Sequence, residues 1–206
     1  MALARTVVSE GLIDELGRFE ELVRSLSSEQ WNTPSRCAGW TVGDVASHVI
    51  GSMADVAVGR LDGLGTPEVT KREVDERAGR SPAELADECA EVTKAAAGML
   101  PLFDDAAWAG AGPGGFDGTL GDGVEALWYD AWMHAEDIRS SLGQAPVLSS
   151  GFTAARSHVA WDLGRIAQWK GAIPKADDDA YAFIMIATGR ADASPLGAAA
   201  PPNIYA

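Results

Sequence analysis

From Val8 to Leu26 the apolar residues Val8, Leu12, Leu16, Phe19, Leu22, Val23 and Leu26 recur at the spacing of one helix face. The same period returns in the later apolar stretches. No stretch alternates apolar and polar residues two by two with β-branched enrichment, and no repeat of solenoid period is present. The chain is therefore expected to be all-α.

The first helix is expected over residues 5–26. The following SSEQWNTPSRCAGW reads as a loop with at most a turn of helix, closed against the core by Trp31 and Trp40. Thr41, with Asp44 three residues on, caps a second helix from Val42 to about Leu61. The charged segment PEVTKREVDERAGR reads as an exposed crossover with some helix in it. Ser81, with Pro82 at the first helical position and Glu84 at the third, opens a third helix to about Leu102.

The Gly-rich GAGPGGFDGTLGDG holds too few apolar groups to form an element. It lacks the Gly-Lys-Ser/Thr ending of a phosphate loop and follows no strand, so phosphate binding is dismissed. A fourth helix spans about Leu120 to Leu142 and stops at Gly143, with Pro146 beyond. Helices over about 151–170 and 178–188 follow, and the Ala- and Pro-rich tail ADASPLGAAAPPNIYA reads as extended or mobile. Residues 1–172 are taken as one bundle domain and 173–206 as a short helical extension with its tail.

The chain carries 16 Lys and Arg against 30 Asp and Glu, a formal charge of -14, with no basic cluster. Such a field repels phosphate backbones, so nucleic acid and anionic membrane surfaces are not expected partners. The absence of a signal-peptide pattern and of a long apolar run points to a cytoplasmic protein, monomeric or homodimeric. Cys37 and Cys89 stand far apart with no CxxC pairing and are expected as reduced thiols.

Residues 127–133, LWYDAWM, are apolar nearly all the way round except for Asp130. A carboxylate in that setting needs a cation, strong donors or a metal. His134 lies four residues on, about 400° round the helix, so both side chains share one face and can serve one ion. An Asp130–His134 ion pair within the helix is the alternative. Of the three histidines, His48 on the second helix is the natural third ligand. A helical wheel turns it toward Asp44, Ser52 and Asp55, where it could equally be a half-exposed surface residue. Three protein ligands with an open position describe a catalytic rather than a structural metal site.

PSRCAGWTVGDVASH, residues 34–48, resembles the signature of the N-terminal domain of mycothiol-dependent maleylpyruvate isomerase, of the DinB-like superfamily. WMHAEDIRSSLG, residues 132–143, is similar to the family's His-x-x-Asp-Ile segment, and ATGR ending at Arg190 looks like its extension. The resemblance implies an antiparallel four-helix bundle with a crossover connection and additional C-terminal helices. It also implies a divalent metal, usually zinc with nickel as the other candidate, on His48, Asp130 and His134. Two departures stand out: Asp130 occupies a position where the isomerase has Glu, one methylene longer, and the chain is too short to hold that isomerase's complete C-terminal domain.

The expected activity is that of a metal-dependent thiol transferase or isomerase, in which a low-molecular-weight thiol such as mycothiol attacks a small electrophile. Asp137 is the candidate catalytic or orienting carboxylate, and Arg139 and His158 are candidate substrate contacts; a solvated surface charge is the competing reading for Asp137 and Arg139. A thiol-independent metal hydrolase, isomerase or tailoring enzyme, and a non-catalytic small-molecule-binding bundle, remain the alternatives.

Overall fold

A computed structural model describes residues 3–166 and 168–206. The described residues form helices and short 3-10 turns without a strand, so the chain is all-α. The helices are α1 (Arg5–Ser25), α2 (Ser28–Trp31), α3 (Val42–Val58), α4 (Pro67–Asp75), α5 (Pro82–Met99), α6 (Asp105–Trp108), α7 (Leu120–Ser141), α8 (Gly151–Ile166) and α9 (Asp177–Ala187).

The four long helices α1, α3, α5 and α7 pack in a closed ring, α1 and α3 each touching both α5 and α7. Leu12, Leu16 and Phe19 of α1 meet Trp128, Trp132 and Met133 of α7 in one core of fully buried side chains. Burying each of these large side chains contributes about 1.5–3 kcal/mol. The capping boxes expected at Thr41–Asp44 and Ser81–Glu84 are present, and two more, Ser27–Gln30 and Thr119–Asp122, open α2 and α7. α8 packs on α7, and α9 on α8. No described helix is long and apolar enough to cross a membrane.

The crossover differs from the expectation of an exposed segment. Thr66 caps α4 by accepting the Val69 N–H, Pro67 starts it, and the helix lies against α3. It covers the polar side of α3: Arg72 pairs with the fully buried Asp55, and the equally buried Glu73 bonds His48 and Ser52. Complementary charge, not an apolar stripe, holds this helix down. Gly51 makes the approach possible, since a Cβ there would lie 2.6 Å from the Glu73 Cβ.

The other differences are local. α3 ends at Val58 with left-handed Gly59, and α5 at Met99 with a 3-10 turn over Leu100–Leu102. α8 is described to Ile166, and residue 167, inside the longer helix expected there, lies outside the described residues. The tail forms a 3-10 turn over Ser194–Ala199 and returns to the bundle. There the Ile204 N–H donates to the Ala187 carbonyl at 2.9 Å, the Ile204 side chain is buried, and the Tyr205 and Tyr129 hydroxyls are 2.8 Å apart. The buried Pro201 and Ile204, with these two bonds, seat a segment whose composition alone suggested nothing to anchor it.

Candidate metal centre

α7 presents Asp130 and His134 one turn apart on one face, as the spacing requires, with His134 Nε2 3.4 Å from Asp130 Oδ1. α3 brings His48 across the bundle, its Nε2 3.8 Å from Asp130 Oδ2. The two imidazoles stand edge to face with ring centroids 5.1 Å apart. One ligand atom from each of His48, Asp130 and His134 falls within 4.8 Å of the others. All three side chains line one cavity.

The far nitrogen of each histidine is also fixed. His48 Nδ1 lies 2.8 Å from Glu73 Oε2, and His134 Nδ1 lies 2.9 Å from Asp137 Oδ2. A carboxylate oxygen opposite each Nδ1 accepts that nitrogen's hydrogen, which leaves each Nε2 turned to the space beside Asp130. Carboxylate-oriented histidines of this kind are the usual surroundings of a metal-ligating imidazole. Two imidazole nitrogens, one carboxylate and an adjoining cavity fit a divalent ion with an open position.

The charges agree. Burial alone would raise the Asp130 carboxyl, but the charge and hydrogen bond of His134, with His48 and Arg190 beyond, bring it down to about 2. Burial likewise works against protonated His134, yet Asp130 and Asp137 on either side hold its pKa well above the ordinary histidine value. The raised pKa favours protonated His134 with Nε2 3.4 Å from Asp130, the helical ion pair. A cation entering the triad replaces that proton.

Asp137 lies outside the cavity with a side chain only 1% exposed. Its carboxylate accepts Arg190 Nε at 2.8 Å and Nη2 at 2.7 Å as well as His134, and burial's upward pull on its pKa is overcome by these donors. Arg36 Nε stands 3.6 Å away and Cys37 Sγ also 3.6 Å. Cys37, His134 and Asp137 thus form a second cluster of possible ligands. Two guanidinium groups already neutralise Asp137 there, which makes this cluster the poorer cation site.

Of the other residues singled out from the sequence, His158 lines the cavity, stacked on Tyr129 at 4.5 Å, and burial pushes its pKa down. Arg139 is not brought there. It is buried against Glu136, donating from Nη1 at 2.7 Å, and Glu136 also accepts from the Val147 N–H and the Tyr181 hydroxyl. The arginine at the cavity is Arg190.

Glu73 escaped the sequence reading because it sits among six charged residues between Pro67 and Glu76. The Thr66–Pro67 start and the one-face series Val69, Glu73, Arg77 were the available signal.

The cavity has a volume of about 690 Å³. Met53 and Val56 of α3, Met99 of α5 and Leu127 of α7 wall it. Two glycine-bearing connections meet across it: Gly114 has φ +67°, and a Cβ there would lie 2.2 Å from the Leu61 carbonyl oxygen. The Gly-rich link, expected without an element, carries the 3-10 turn Pro113–Gly115 and the first turn of α7, and supplies Phe116 to the wall.

No curated protein and no solved structure matches the chain. The family model of the mycothiol maleylpyruvate isomerase N-terminal domain matches residues 12–139, a span that contains His48, Asp130, His134, Glu73 and Asp137 but not Arg190. The chain therefore belongs to the mycothiol maleylpyruvate isomerase N-terminal domain family, within the DinB-like superfamily.

Proposed function

We propose that the chain is a metal-dependent enzyme that uses a low-molecular-weight thiol, mycothiol being the candidate named by its family, to transfer to or isomerise a small electrophile. The observation that carries the reading is the convergence of two carboxylate-oriented imidazoles and Asp130 at the wall of a cavity large enough for a substrate.

His48, Asp130 and His134 would hold the ion, zinc first and nickel second by donor chemistry. When bound, the ion supplies Lewis acidity that lets a thiol ionise at neutral pH. Glu73 and Asp137 are assigned positioning roles: each fixes one imidazole tautomer and ring plane, and Arg190 in turn fixes Asp137. With both oxygens occupied by donors, Asp137 is a poor proton acceptor, so its role moves from catalysis to orientation. The apolar walls limit water around the reacting groups. His158 faces the substrate.

The test has two readouts. Wild-type chain reconstituted with zinc should hold close to one ion per chain, and His134→Ala should hold none while keeping its helical circular dichroism; equal metal content in the two would remove the site assignment. Metal-loaded protein is then incubated with mycothiol and a panel of electrophiles, against a control without thiol. Turnover is expected only when thiol is present, and equal turnover in its absence would replace thiol chemistry with direct metal chemistry.

A further inference from the structure

We infer that the cavity beside the triad takes an uncharged substrate with a bulky apolar body, not a small dianion. The inference rests on the proposed function for the reacting end of that substrate. Its own support is the wall.

A volume of about 690 Å³ lies within the range of about 300–1,000 Å³ typical of sites for drug-sized ligands. Its non-polar lining comes from all four long helices and from both glycine-bearing connections, through Leu12, Met53, Leu64, Met99, Phe116 and Leu127. Burying an apolar body against such walls is favourable at about 25 cal/mol per Å².

The charged and titratable lining is confined to His48, Asp130, His134, His158 and Arg190, with Tyr129 and Tyr205 beside them, and every one of these has a partner within the protein. Arg190, the sole Arg and with no Lys beside it among the described lining residues, has Nε and Nη2 on Asp137 and Nη1 toward the Thr188 carbonyl at 3.4 Å. His158 Nε2 faces Asp162 at 3.5 Å. Away from the triad a substrate carboxylate would therefore enter an apolar space without a free cation, at a desolvation cost of several kcal/mol, and of a dianion's two carboxylates only one could reach the ion proposed there. The chain's formal charge of -14 opposes the approach of a dianion as well. An uncharged molecule meets neither obstacle and leaves its one polar, electrophilic group for the triad.

The full chain, in chelator-treated and zinc-loaded forms, is titrated with N-phenyl-1-naphthylamine, a neutral probe whose emission rises in apolar surroundings. Saturable one-to-one binding is expected in both forms. An uncharged aromatic ester should displace the probe, whereas maleate at about a hundredfold higher concentration should not.

Leu64→Asp, on the connection between α3 and α4, and Ala126→Phe, which adds bulk inside the wall, should each weaken probe binding about tenfold or more with helicity unchanged. Displacement by maleate at concentrations similar to the ester, or unaltered affinity in both variants, overturns the inference. Zinc binding without probe binding overturns it and leaves the metal centre standing. Probe binding without zinc binding supports it and removes the proposed function.

Discussion

Replacing Glu73 by glutamine isolates the contribution of one positioning carboxylate. Glu73 is fully buried, with Oε2 2.8 Å from His48 Nδ1 and Oε1 accepting the Ser52 hydroxyl at 3.1 Å. The amide keeps the volume beside Gly51 and can still accept one bond. The carboxylate that fixes the His48 ring through Nδ1 is lost.

A hydrogen bond to a charged group contributes about 1.5–3 kcal/mol against about 0.5–1.5 for a neutral one. The expected loss is therefore about 1–1.5 kcal/mol, about a 5- to 13-fold rise in the metal Kd, near the lower end of the usual effect of removing such a partner. Competition titration of zinc against a chromophoric chelator at neutral pH reads it directly, with circular dichroism as the check on folding. Ser52→Ala removes only the bond to the other oxygen and should change the Kd by less than Glu73→Gln. A Glu73→Gln chain that is fully helical and binds zinc within about twofold of wild type would refute carboxylate positioning of His48.

Three further substitutions probe the surroundings. Arg190→Gln leaves the Asp137 charge buried without its guanidinium, and Arg36 at 3.6 Å replaces it only in part; a loss of about 3 kcal/mol should appear as a thermal midpoint about 6–12 °C lower, and a midpoint within about 2 °C of wild type would count against the pair. Gly114→Ala carries both the backbone strain of φ +67° and a clash with the Leu61 carbonyl, whereas Gly115→Ala at φ +83° meets open space; denaturant unfolding should show the first about 1–3 kcal/mol worse than wild type and clearly worse than the second, and equal losses would remove the clash. Glu15, whose Oε2 accepts from Ser149 and Gly151 while Oε1 has no partner among the described residues, has its pKa raised by burial above the ordinary 4.5. A folded-state carboxyl that holds its proton more tightly than the unfolded chain loses stability as pH rises from that value through its raised pKa. The thermal midpoint of wild type should therefore fall relative to Glu15→Gln between about pH 4.5 and neutrality, and parallel profiles would show that Glu15 is not perturbed.

The long helices were legible because period and caps agree: Thr41–Asp44 and Ser81–Glu84 mark starts that the structure keeps within a residue. The one-turn pair Asp130 and His134 was legible from burial and spacing alone. His48 was only half legible, since a wheel of α3 shows its polar side but not what covers it. The cover is α4, attached by ion pairs and hydrogen bonds, and amphipathic periodicity is blind to a helix held that way. Arg139 misled for the matching reason: adjacency in sequence to Asp137 puts it on another face of α7, where Glu136 occupies it. The clamp on Asp137 comes instead from Arg190, 53 residues further on, a separation that no local pattern encodes.

That long reach bears on how the chain can be divided. The family match ends at residue 139, and a bundle cut there would look complete by its four long helices. It would nonetheless leave Asp137 without the arginine that neutralises it, and the imidazole that Asp137 steadies would lose its rigid backing. A minimal fragment chosen by homology should then fold around a slack site. The unit that holds Asp137 in place is larger than the matched one and draws a side chain from what looks like an appendage.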